Sequence, residues 1–137
     1  MNARIKVFLA DDHPLIRAGL SMAFENDSKI CIIGTADNGF DAIEKIEKSN
    51  PDIVLMDIDM PGLSGVAAIS ILRKTYPEMI LFVMSTYNDR TYIEDSKTSG
   101  ASGYILKNIS IESLARLIVD VIDKKRIISP YVLYLKQ

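Results

Sequence analysis

Residues 52–65 read DIVLMDIDMPGLSG. Ile53, Val54, Leu55 and Met56 are apolar without alternation, the pattern of a strand covered on both faces. The run then delivers Asp57 and Asp59 and breaks at Pro61–Gly62, a turn signal. A strand buried on both faces belongs to a parallel sheet lying between helices, so this stretch predicts an α/β fold. It also sets a problem. A buried carboxylate without compensation is costly, so Asp57 needs a partner or a use.

Outward from this stretch the same unit recurs. IKVFLA (5–10), ICIIGTA (30–36), MILFVMS (79–85) and SGYILK (102–107) predict four more strands around the one at 52–57. The segments between them have helical spacing. The first opens at Pro14 and is expected to carry Leu15, Ala18, Met22 and Phe24 inward. GFDAIEKIEK places Phe40, Ile43 and Ile46 on one side, and Ser64 is a candidate N-cap for a helix to about Tyr76. The last, near 110–123, repeats Ile111, Leu114, Ile118, Val121 and Ile122. Residues 86–99 are polar nearly all round, with Tyr92 and Ile93 as apolar anchors, and mark a weakly held helix. The expectation is one domain over 1–123 with a five-stranded, doubly wound parallel sheet. Residues 124–137 follow as a linker, with three consecutive basic residues and a helix start at Ser129–Pro130.

Composition narrows the function. The chain has 137 residues, 48% of them hydrophobic and 25% charged, which suits one globular domain. Lys plus Arg number 16 against 18 Asp plus Glu, a net charge of -2, so no overall field favours nucleic acid or membrane. The only apolar stretch near the N-terminus, 5–10, is too short for a signal peptide or a span, and a cytoplasmic protein is expected. Cys31 lies in an apolar run and reads as a buried structural thiol. Gly34 and Gly39 do not form a dinucleotide-binding G-x-G-x-x-G loop.

Ligands of open parallel sheets bind at the carboxyl ends of the strands. The first strand ends in Asp11–Asp12, the third in Asp57, the fourth in Ser85–Thr86 and the fifth in Lys107. Three carboxylates within a few ångströms repel unless a cation sits among them. Oxygen-only ligands with room for water suit Mg2+. Mg2+ and Lys107 together balance the three acids, leaving a near-neutral site that can take a phosphoryl group. Asp57, the central acid, is a competent nucleophile for that group. Taken singly, Asp11–Asp12 also reads as a turn before Pro14, Asp59 as a solvated loop acid and His13 as surface polarity. Either Ser85 or Thr86 could supply the hydroxyl, with the end of the apolar run at Met84 favouring Ser85.

LADDHPLIRAGL, DIVLMDIDMPGLSG, ILFVMST and GASGYILK resemble, in this order, the receiver domain of two-component response regulators. The resemblance covers roughly residues 4 to 123. It implies a flavodoxin-like, CheY-like sheet with strand order 2-1-3-4-5, Asp57 as phosphoacceptor, and Asp11 and Asp12 as Mg2+ ligands. It further implies that the backbone carbonyl of Asp59 adds a ligand, that Ser85 bonds a phosphate oxygen, and that Lys107 pairs with the phosphate. Tyr104 matches the aromatic position that moves with the hydroxyl. The implied donor is a phosphohistidine on a histidine kinase, and the implied partner on phosphorylation is a second copy. Such a domain takes one phosphoryl group and loses it slowly; it is not a turnover enzyme. ADDHPLIRAGL, GASGYILK and RIISPYV resemble the subfamily whose receiver precedes a LuxR-type helix-turn-helix. That implies DNA binding through a further domain and none by residues 1–137. One departure is Asn108, where the family often has proline or aspartate; a trans bond is expected there. Asp57-Ile58-Asp59 also resembles the D-x-D pair of haloacid-dehalogenase-type phosphatases, but Pro61 and the position on the third strand speak against that reading.

Overall fold

The structure is a computed structural model that describes residues 3–127 and 129–136. Strand β1 (Ile5–Ala10) leads to α1 (Pro14–Phe24), β2 (Ile30–Ala36), α2 (Gly39–Ser49), β3 (Ile53–Asp57) and α3 (Gly65–Thr75). β4 (Ile80–Ser85), α4 (Arg90–Ser99), β5 (Gly103–Leu106), α5 (Ile111–Ile122) and β6 (Val132–Leu135) complete the chain. The sheet order is β2-β1-β3-β4-β5-β6. The first five strands are parallel, and β6 pairs antiparallel to β5. Each face of the sheet carries its own core. Phe8, Val54, Met56 and Val83 point to one side with Ile46, Ile69 and Leu72. Val7, Leu9, Leu55 and Phe82 point to the other with Phe24, Leu114 and Ile118. Alternation along strands apolar on both faces produces this two-layer cover.

The sixth strand corrects the expected five. Ser129–Pro130 does not open a helix; the chain turns there, and Tyr104 lies opposite Tyr134. The reason is nonlocal. Without β6, the outer edge of β5 would present unpaired N–H and C=O groups, and Val132, Leu133, Tyr134 and Leu135 are strong strand formers. Leu106 N–H donates to the Tyr131 carbonyl at 2.8 Å, and the Lys97 ammonium lies 4.8 Å from the Tyr134 ring centre.

α1 corrects a second expectation. Leu15 and Met22 are 87% and 73% exposed, and Ala18 is exposed too. Phe24 is buried as expected, but the residues that pack on the sheet with it, at a spacing of four, are Ile16 and Leu20. The helix carries two apolar stripes, and the one spaced four apart through Leu20 and Phe24 takes the core. Phe40 is likewise exposed while Ile46 is buried. Cys31 is half-buried rather than buried. Every peptide bond among the described residues is trans, including those flanking Asn108.

Arg73 fastens the end of α3 to two loops. Its guanidinium donates to the carbonyls of Tyr76 (3.2 Å), Pro77 (2.9 Å), Met79 (2.7 Å) and Gly100 (2.9 Å), and to Ser102 Oγ (3.1 Å). A lysine reaches few of these acceptors with its single ammonium. Arg73→Lys is expected to cost about 2 kcal/mol of stability in urea unfolding, the scale of lost charge-assisted hydrogen bonds.

Candidate functional site

Three loops at the carboxyl ends of β1, β3 and β5 meet. Asp11 follows β1 directly, its N–H donating to the Ala36 carbonyl at 3.0 Å, and Asp57 is the last residue of β3. Lys107 follows β5, held by its N–H to the Ser85 carbonyl at 2.8 Å. Its ammonium stands 2.9 Å from Asp11 Oδ2 and 3.0 Å from Asp57 Oδ1. The side chains of Lys107, Asp11 and Asp57 are 8%, 2% and 3% exposed, so this is a buried bridge rather than a surface ion pair. Asp12 lies at the mouth, exposed. Glycine is required nearby: a Cβ on Gly65 would run into the Asp57 carbonyl, so α3 can start this close to the acid only without a side chain. Gly62, at φ 75°, makes the turn that leads the chain away from the site.

The two bridged acids differ. Burial raises the Asp57 carboxyl, with the Asp11 charge acting in the same direction against the Lys107 ammonium, and leaves it at about 6. Burial also raises Asp11, but the His13 N–H (2.9 Å), Lys107 and the His13 ring (2.8 Å) outweigh it, so Asp11 is held below the ordinary range. Burial lowers Lys107, and its two carboxylate partners more than reverse this. The cause of the asymmetry is the donor count. Asp57 Oδ1 has Lys107 and a long bond from the Asp59 N–H (3.3 Å), while Asp57 Oδ2 is buried with no hydrogen-bond partner.

That orphaned oxygen, with the acids around it, fits a divalent cation. Ligand atoms of Asp11, Asp12, His13 and Asp57 all lie within 4.8 Å of one another. Oxygen donors dominate the set, as hard cations require. A cavity of about 300 Å³ opens over it, lined by Asp12, His13, Asp57, Asp59, Thr86 and Lys107, among others.

The remaining candidates are placed as follows. Thr86 lines the cavity, whereas Ser85 is fully buried and its Oγ accepts the Tyr87 N–H at 2.9 Å. The Asp59 side chain is exposed. Tyr104 is buried, and its hydroxyl donates to the Tyr87 carbonyl at 2.6 Å. Tyr87 is thus held from both sides and stacks on Tyr92 with ring centres 4.5 Å apart. Sequence reasoning missed three residues. His13 faces the acids, Arg17 donates to the Asp11 carbonyl at 2.6 Å, and Tyr87 joins the hydroxyl loop to Tyr104. A signal existed for His13: an aspartate two residues before it accepts its N–H in an Asx-turn, which turns residue 13 back over the carboxylate.

An open doubly wound sheet with a lysine-bridged acid pair at its carboxyl edge defines an acidic, cation-accepting pocket on a flavodoxin-like scaffold. A family model described as the response regulator receiver domain matches residues 7–119, and the chain belongs to that family. It is therefore a receiver domain of two-component signalling, homologous to transcriptional regulators. It is 35% identical over 111 residues to the transcriptional regulatory protein DegU of Brevibacillus brevis, covering 81% of this chain and 47% of that one. It is 36% identical over 111 residues to the oxygen regulatory protein NreC of Staphylococcus haemolyticus, covering 80% and 51%. The chain thus spans about half the length of the curated relatives it matches. A solved DNA-binding response regulator of the LuxR family from Staphylococcus aureus superposes with a TM-score of 0.79 at 29% identity, covering 85% of this chain and 98% of that one. Among the described residues no helix is long and apolar enough to cross a membrane.

Proposed function

We propose that Asp57 accepts a phosphoryl group from the phosphohistidine of a partner histidine kinase. The orphaned, buried Asp57 Oδ2 beside a lysine-bridged acid carries this reading. As a carboxylate, Asp57 needs no base: one of its oxygens attacks phosphorus, the P–N bond breaks, and its electrons return to the kinase imidazole. Lys107 is positioned to turn its ammonium from the carboxylates to a phosphoryl oxygen, and Thr86 lines the space the group would enter. Asp11, Asp12, Asp57 and the Asp59 carbonyl would hold Mg2+, which when bound offsets the charge of the acids and the phosphoryl oxygens. The test is intact-protein mass after incubation with a small-molecule phosphodonor. Wild type is expected to gain one phosphoryl group with Mg2+ and none with chelator, and Asp57→Asn to gain none. Equal labelling of Asp57→Asn would overturn the assignment.

In the switch, Ser85 turns from the Tyr87 N–H to a phosphate oxygen, and Tyr104 responds. The Tyr104 ring already lies inside and is fully buried. Phosphorylation then locks an inward Tyr104 and stiffens the Tyr87 loop against α4, whose single buried residue is Ser96. The α4–β5 face so ordered would meet a second copy. Output in transcription would run through a LuxR-type DNA-binding domain joined by residues 124–137, with residues 1–137 making no specific DNA contact themselves. The resemblance of the chain to longer transcriptional regulators, of which the matched stretch covers 47% and 51%, supports this, as it supports a cytoplasmic location.

A further inference from the structure

A second cavity, of about 510 Å³, opens at the other end of the sheet. It includes Ile80, the first residue of β4, while the acidic site lies beyond Ser85, the last. Five residues of strand separate them by ~17 Å. Phe82 and the half-buried Ile80, Val121, Ile127 and Leu135 give it an apolar floor. Every charged residue lining it is a cation: Lys124, Lys125, Arg126 and Lys136. This is unexpected in a chain whose net charge is -2. None of the four has a carboxylate within ion-pair distance among the described residues.

The simpler account is that cations collect at the C-terminus of α5, where the helix dipole favours them. It covers Lys124 and Lys125. It does not cover Lys136, which arrives from the end of β6. Four unpaired cations around a pocket of apolar side chains have one complementary ligand chemistry. A small multivalent anion would leave the floor wet, and a neutral apolar molecule would leave the cations unused.

We propose that this cavity binds an anionic amphiphile, a medium-chain fatty carboxylate, with its head among Lys124, Lys125, Arg126 and Lys136 and its chain over Phe82. Because Leu135 and Lys136 belong to the β6 segment, the bound chain clasps β6 to the sheet. The site uses none of the acidic pocket and is independent of what Asp57 does.

The probe is decanoate below its micellar concentration, titrated calorimetrically into the whole chain at low salt. Saturable one-to-one binding is expected, at least tenfold tighter than that of decanol. The Lys124→Gln/Arg126→Gln double variant, changed only at exposed positions, is expected to weaken decanoate at least tenfold and leave decanol unchanged. Methyl shifts should fall on Ile80, Val121, Ile127 and Leu135. Equal affinity for decanol, undiminished binding by the double variant, or shifts centred on the exposed Leu15 and Met22 would each overturn the proposal.

Discussion

Lys107→Met is expected to destabilise the magnesium-free protein by ~3–5 kcal/mol at pH 8, the loss typical when one partner of a buried ion pair is removed. The ammonium bridges Asp11 and Asp57 at 2.9 and 3.0 Å with all three side chains nearly inaccessible to water. Methionine keeps most of the volume and removes only the charge, so packing loss is a minor part. The pH dependence follows from signs. Lys107 itself is raised above its ordinary 10.5, so its stabilising contribution is complete below that value and is lost only at higher pH. Between pH 5 and 8 the change therefore comes from the acids. Asp57 stands at about 6 even with the lysine present, and without it moves higher. The deficit of Lys107→Met should shrink as pH falls toward 5, where the Asp57 carboxyl becomes neutral. Millimolar Mg2+ should recover part of it at pH 8 by supplying the missing positive charge. Chemical denaturation at pH 5 and 8, with chelator and with Mg2+, measures all three effects. A loss below about 1 kcal/mol at pH 8 would show that the bridge does not hold the acids together.

Much of the fold could be read because its signals are local. β1 and β2 run over the residues their apolar patterns mark, and the acids at 11 and 57 lie at strand ends because parallel topology puts every carboxyl end on one edge. What could not be read depends on contacts through space. Two apolar stripes on α1 look alike in sequence, and only the sheet beneath selects Ile16, Leu20 and Phe24 over Leu15 and Met22. Ser129–Pro130 is a sound helix-start signal taken alone; the open edge of β5 overrides it by offering YVLYL a partner strand. The acidic site divides the same way. Asp11, Asp57 and Lys107 follow from strand ends, whereas Arg17 reaches the Asp11 carbonyl from the next turn of helix and Tyr87 meets Tyr104 across 17 residues. The inward setting of Tyr104 is a choice between conformers, which no spacing encodes.

Asp57→Asn should act in opposite directions on chemistry and on stability. The proposed phosphorylation is lost, yet the magnesium-free variant is expected to be more stable than wild type by about 1–3 kcal/mol at pH 7.5. The source is the raised carboxyl. Displacement from 3.8 to about 6 means that above pH 6 the ionised Asp57 costs the folded state up to about 3 kcal/mol relative to the unfolded chain. For a group raised in this way the folded state binds the extra proton, so wild type gains stability as pH falls from about 6 to about 4 and loses it as pH rises through the same window. The substituted asparagine has no such titration. Its carbonyl can keep the bonds from Lys107 and the Asp59 N–H, and its neutral amide occupies the place of the unpartnered Oδ2. The gain falls short of the full figure because Lys107 then faces Asp11 alone. Thermal unfolding with chelator should show a Tm several degrees higher for Asp57→Asn at pH 7.5, with the difference closing toward pH 4. Mg2+ should narrow the gap from the other side, stabilising wild type more than the variant through mass action on the folded state. A variant less stable than wild type at pH 7.5 without metal would mean that Asp57 is held by its partners rather than strained among them. The acid would then be a structural anchor, and the case for a carboxylate kept poised for a cation and a phosphoryl group would fail.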